Sequence, residues 1–197
     1  MIDDLDLTLE ELLHRELPPS VAKQISISFN TPDNTFISSG IPLPAINVFL
    51  YDIRENQELR NNQWSIDRQI NATASKKHSP VRIDCSYLIT AWPGNVPQPQ
   101  LDEHRLLGEV IKVLLRHPTI PAEVLHGQLK GQELPLRTTA LRPGQMQSIA
   151  EFWQAIGGKP KAALNYTVTI SVTADETVTT VPLVQNKQIQ LDLIGGK

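Results

Sequence analysis

The stretch from Ala45 to Ile53 reads AINVFLYDI and is apolar at almost every position. Side chains of a strand alternate between two faces, so a strand apolar on both must be central in a sheet and covered from each side. That feature requires a layered α/β architecture with the sheet in the middle. Val81 to Trp92 (VRIDCSYLITAW) is a second strand, with Val81, Ile83, Cys85, Tyr87 and Ile89 on one face and Arg82, Asp84, Ser86 and Thr90 on the other. Leu164 to Val172 is a third, with Leu164, Tyr166, Val168, Ile170 and Val172 on period two. Ile25, Ile27 and Phe29 mark a short additional strand, and a further one is expected around Leu134 to Leu141.

The covering layers are readable as helices. Ile2, Leu5, Leu9, Leu12, Leu13 and Leu17 recur at helical spacing behind acidic Asp3, Asp4 and Asp6, and Pro18-Pro19 stops them. Asp102 to His117 turns Leu106, Leu107, Val110, Ile111, Leu114 and Leu115 inward, ending at Pro118. Gln145 to Ile156 carries Ile149, Phe152, Trp153 and Ile156 and closes on Gly157-Gly158, where positive φ is wanted. Residues 30 to 44, rich in Pro and Gly, read as a surface loop, Pro93 to Pro99 as a turn and exit loop, and Ala122 to Leu125 as a helical turn. Trp64, Ile66 and Ile70 alternate, which predicts a strand running into a turn near Asn71 to Ser79, as in a hairpin arm.

With 197 residues and 40% hydrophobic composition, the chain suits one domain or one domain with an extension. After Thr173 the composition shifts to Thr, Val, Gln and Asp without aromatics, so the expected division is an α/β domain over 1–173 and a C-terminal extension over 174–197. The extension holds two alternating pieces, Thr177 to Val184 and Gln188 to Leu193. In the second, Ile189, Leu191 and Leu193 share a side and Gln188, Gln190 and Asp192 the other. A lone strand leaves its backbone donors and acceptors unpaired, so this arm needs a sheet edge to receive it.

Charge and chemistry narrow the function. A formal charge of −3 offers no basic excess for a phosphate backbone, so nucleic acid is not an expected partner. No apolar run nears the roughly 20 residues of a membrane span, and none follows a basic start as in a secretory leader, which places the chain in the cytoplasm without direct membrane insertion. His78, His104, His117 and His126 form no ligand-spaced pair and Cys85 stands alone, so neither a metal nor a cofactor is expected. No nucleophile motif is present, and Gly157-Gly158-Lys159-Pro160 lacks the rest of a phosphate loop. An enzyme would need a site assembled from scattered residues such as Asp84, Cys85, His104 and Glu109. The alternating charges Asp52, Arg54, Glu55, Glu58 and Arg60 read either as a solvated rim or as a polar subunit contact.

Four blocks, LPAINVFLYDIRENQELRNN (43–62), PVRIDCSYLITAWP (80–93), DEHRLLGEVIKVLLRHPTIPAEVL (102–125) and SIAEFWQAIGGKPKAALNYTVTISV (148–172), resemble the cap, or tail-terminator, proteins of phage-tail-like extracellular contractile injection systems. The resemblance implies a phage tail-terminator-like fold: a single α/β domain with a mixed β-sheet flanked by helices, here with an extended C-terminal strand arm. It implies no catalysis, a six-membered ring of copies, and sheath and inner tube proteins as partners. It makes Arg54, Glu55, Glu58 and Arg60 a candidate subunit interface, and Gln188 to Leu193 a strand that pairs with the last sheath layer. A small enzyme and a free-standing binding adaptor are the alternative classes.

Overall fold

The structure, a computed structural model, describes residues 1–61, 64–68, 73–142, 149–173 and 179–182. In chain order the described elements are α1 (Ile2–Glu16), α2 (Pro19–Ala22), β1 (Ser26–Ser28), β2 (Ala45–Glu55), β3 (Trp64–Arg68), β4 (Thr73–His78), β5 (Val81–Trp92), α3 (Pro99–Arg116), β6 (Arg137–Ala140), α4 (Ile149–Ala155), β7 (Leu164–Val172) and β8 (Thr179–Pro182). Short 3-10 turns occupy Phe36–Ser39, Gln57–Leu59, Ala122–Val124 and Gly127–Gly131. The chain forms two compact units, Met1–Glu58 with Arg82–Ser171, and Leu59–Val81 with Val172–Lys197.

The larger unit is built on one mixed five-stranded sheet in the order β1-β2-β5-β7-β6. β1 runs parallel to β2 (Ser26 opposite Ala45), β2 antiparallel to β5 (Ala45 opposite Trp92), and β6 antiparallel to β7 (Arg137 opposite Thr169). A bulge between Leu50 and Asp52 shifts the β2–β5 register. α1 lies on one face, where Tyr87 of β5 donates its hydroxyl to Asp6 at 2.9 Å. α3 joins that layer through Glu16, which pairs with Arg116 and His117 at 3.4 and 3.2 Å. α4 covers the opposite face, where Phe152 packs against Phe49 and Tyr51 with ring centroids 6.3 and 6.2 Å apart. The two-sided cover expected from AINVFLYDI is therefore met.

That cover is uneven along the strand. Ala45 to Val48 are buried, whereas Ile53 is 47% exposed. β1 accompanies β2 only as far as Asn47, and no described strand flanks the rest of β2 on that side. At the other edge β6 is protected. Thr119 bridges Arg137, Thr138 donates its amide to the Pro118 carbonyl at 2.9 Å, and the Thr138 hydroxyl donates to the His117 carbonyl at 2.7 Å.

The smaller unit is an antiparallel sheet in the order β3-β4-β8, with Trp64 opposite His78 and Thr73 opposite Pro182. The hairpin is present, but Thr73 to His78 form its second strand where the sequence suggested a turn. Its residues TASKKH lack apolar alternation, and strand pairing by backbone bonds does not require it. β8 lies within the alternating piece Thr177 to Val184, while Gln188 to Leu193 fall outside the described residues.

One helix start differs from expectation, and that expected at Gln145 lies outside the described residues. α3 begins at Pro99, which the sequence placed in the exit loop. Proline costs nothing at the first helical position, where the amide has no intrahelical partner. The inward face of α3 is Leu106, Leu107, Val110, Val113 and Leu114, while Leu115 is 59% exposed and Ile111 half-buried. Apolar residues at 106, 107, 110, 111, 114 and 115 span too wide an arc for one buried face. α4 is described from Ile149, and Gly157 after it takes φ +67° as expected.

Candidate functional site

The face of β5 carrying Arg82, Asp84, Ser86 and Thr90 is the polar one, and it is largely buried: Arg82 is only 6% exposed. A buried polar group costs free energy unless it is bonded, and here Arg82, Asp84 and Ser86 each find a partner on β7, while Thr90 accepts the Trp92 indole N–H at 3.0 Å within β5. Arg82 donates Nη1 to the Ser171 hydroxyl at 2.8 Å, Thr169 donates its hydroxyl to Asp84 at 2.6 Å, and the Ser86 and Thr167 hydroxyls lie 3.4 Å apart. Those three pairs step in opposite directions along β5 and β7, which makes the strands antiparallel. Asn56, just past β2, donates Nδ2 to both Asp84 oxygens at 3.2 and 3.0 Å. The network ties three strands together and is occupied by its own members.

The residues that could have formed an enzyme site do not converge. Asp84 and Cys85 are neighbours in β5 and point to opposite faces. Cys85 is fully buried, and burial, with Asp84 and Asp6 nearby, pushes its thiol up to about 11, so it is not a thiolate at neutral pH. His104 is exposed on α3, and Glu109 pairs with Lys112 at 2.8 Å, on a different side of the helix. Among the described residues no group of His, Cys, Asp and Glu is placed to hold a metal ion, and no helix is long and apolar enough to cross a membrane.

The predicted subunit-contact residues fall in two places. Arg54 and Glu55 end β2, opposite Asp84 and Ile83, and Glu58 sits exposed in the following 3-10 turn. Arg60 is exposed and belongs to the smaller unit. Arg54 is already engaged with Asp52 at 2.6 Å along its own strand, an exposed pair worth about 0–1 kcal/mol. The sequence-predicted sheath-binding residues, Gln188, Ile189, Gln190, Leu191, Asp192 and Leu193, lie outside the described residues.

One surface went unnoticed in the sequence. Leu101, Gly108 and Leu115 recur every seven residues along α3, with His104 and Ile111 between them. This spacing aligns them on the outer flank of the helix, and Leu101 is 62% exposed. The heptad period was the available signal, but Ile111 and Leu115 had been assigned to the inward face.

The α/β unit, with its mixed sheet and helices on both faces, is shared with solved structures. Over 99% of its length the chain is similar to a protein described as the PVC sheath/tube terminator, in the extended state, of an extracellular contractile injection system, at 25% identity and a TM-score of 0.66. Over 97% it shares the fold of the anti-feeding prophage cap, described as a tube-terminating cap, at 23% identity and a TM-score of 0.66. The match spans 65% of the first structure's chain and 61% of the second's, less than two thirds of either. No curated protein matches the chain. Residues 4–186 match the Pvc16 N-terminal domain, and the chain belongs to that family.

Proposed function

We propose that this chain is the cap of a contractile injection system, a non-enzymatic assembly protein that ends growth of the inner tube and sheath and stabilises the extended particle. The observation that carries this reading is the similarity, over almost the whole chain, to a protein described as a sheath/tube terminator. Six copies close into a ring, assembled in the cytoplasm, that seats on the last layers of sheath and tube. The body, 1–173, forms the ring, and Arg54, Glu55, Glu58 and Arg60 contribute charges that fix the register between copies. The extension, 174–197, offers Gln188 to Leu193 as a strand to the sheath, with main-chain bonds giving affinity and Ile189, Leu191 and Leu193 giving register. A terminator must be complementary below and not above, since an identical upper surface would let stacking continue.

The test is to produce particles with and without this chain and to image them. Without it, tubes and sheaths of irregular length or collapsed sheaths are expected; particles of normal, defined length would refute the reading. Deleting residues 175–197 separates the tail's part: retained cap and normal sheath would remove the tail from the mechanism.

A further inference from the structure

The polar face of β5 carries one side chain that its own chain meets only in part. Arg82 is 6% exposed, and its guanidinium reaches across β7, giving Nη1 to the Ser171 hydroxyl at 2.8 Å and Nη2 to the Pro135 carbonyl at 3.5 Å, the outer limit of a hydrogen bond. Its Nε–H is buried and meets no acceptor. None of these contacts brings a negative charge, although a cation taken out of water is stable only when it is paired and fully hydrogen-bonded. Burial holds the guanidinium below its ordinary pKa, and a second cation, Arg137, pushes it the same way.

Arg137 stands on the same face. It opens β6 opposite Thr169, whose hydroxyl meets Asp84 on the Arg82 side of the sheet. The two arginines therefore flank β7 two strand spacings apart, roughly 10 Å, with the Arg82 side chain extended toward the start of β6. Arg137 is exposed and forms no ion pair among the described residues. Asp84 acts on Arg82 through space, but Asn56 and Thr169 already occupy its oxygens, and Glu133, exposed in the bend before β6, pairs with neither arginine. Two cations beside one carboxylate leave a positive charge unmatched, and the exposed arginine marks the side from which an anion can reach it.

We propose that Arg82 and Arg137 bind an oxyanion between them, a carboxylate or a phosphate, whose oxygens supply the acceptor and the negative charge that Arg82 lacks. Arginine suits such a ligand because its planar fork of N–H groups matches two oxygens at once. Arg137 captures the anion from solvent, and Arg82 holds it from beneath, where the low dielectric strengthens the attraction. A partner's Asp or Glu and a free phosphate ion carry the same chemistry. The site goes beyond the cap reading and does not depend on it.

The experiment titrates the purified full chain with sodium phosphate, and separately with sodium acetate, at constant ionic strength. It follows the Arg82 Nε–H signal, assigned by through-bond correlation in NMR spectra, together with the thermal midpoint. A saturable shift of that signal with a Kd on the order of millimolar and a raised midpoint are expected; sodium chloride should produce neither. R137A, folded by circular dichroism, should weaken binding at least about tenfold. R137E places a carboxylate beside Arg82 within the chain, so it should abolish the phosphate response and melt above R137A. No saturable shift of the wild-type signal with either anion, an undiminished response in R137A, or R137E no more stable than R137A would overturn the inference. Acetate that saturates the signal as phosphate does identifies a carboxylate ligand, the group a neighbouring subunit would present; a response to phosphate alone identifies the free ion.

Discussion

Gln132 stands in for a strand residue beside Ser171: its side-chain amide donates to the Ser171 carbonyl at 3.0 Å and accepts the Ser171 amide at 2.9 Å. β6 begins only at Arg137, opposite Thr169, so two residues further along β7 a side chain completes the ladder. Replacing Gln132 with Ala leaves both groups unbonded and should cost about 1–3 kcal/mol. Q132E should cost more, because a carboxylate then faces the Ser171 carbonyl. Urea unfolding gives the stability, and faster hydrogen exchange at the Ser171 amide in Q132A is the local signature; unchanged exchange would contradict the pairing.

Gly127 has no substitute at its position. It takes φ +48°, and a Cβ there would fall 1.9 Å from an oxygen of Asp4. The same carboxylate accepts the Gln128 amide at 3.1 Å, while the Thr8 hydroxyl accepts the His126 amide at 3.0 Å, so α1 holds this turn from two positions one helical turn apart. G127A should therefore destabilise by about 2–3 kcal/mol. In a D4A background the added loss should be smaller, since the clash goes and only the backbone strain remains. Additive losses in the double-mutant cycle would show that Asp4 is not the obstacle.

Asp6 gives stability a pH dependence. Burial raises its pKa above the ordinary carboxylate value, opposed by the Tyr87 hydroxyl that it accepts. The folded chain thus holds this proton more tightly than the unfolded one. Its contribution is most favourable below the unfolded value and declines as pH rises through the raised one. D6N keeps an acceptor for Tyr87 without the charge, so it should resemble wild type at about pH 3.5 and become relatively more stable by neutral pH. Urea midpoints that differ equally at both pH values would contradict this.

Asp84 gathers Thr169 and Asn56 on the buried polar face beside Arg82. D84A leaves these donors unmet and Arg82 without a nearby counter-charge, for a loss of about 3–5 kcal/mol. D84N should recover part of it, because one acceptor oxygen remains for the Thr169 hydroxyl. Equal midpoints for the two variants would mean that the network carries no such energy.

Cys85 should not react with a thiol reagent until the chain unfolds, given its full burial and raised pKa. Labelling across a denaturant titration should follow the unfolding curve, and rapid labelling of the folded protein would show that β5 is accessible from its apolar face.

By itself the sequence determined the elements whose period is long and uninterrupted. Val81–Trp92 and Leu164–Val172 were readable to the residue, and α1 to within one, because alternation and helical spacing are local consequences of where a side chain points. It also determined the absence of any ordered catalytic motif. Only the tertiary structure decided what depends on residues far apart: the strand order β1-β2-β5-β7-β6, the pairing of buried Arg82 and half-buried Asp84 with partners more than eighty positions away, and the strand at Thr73–His78. The same holds for α3, where local spacing says which residues are apolar but only packing says which of them are covered. Leu114 went inward and Leu115 stayed out, since a helix lying on a sheet buries one arc and leaves the remainder exposed.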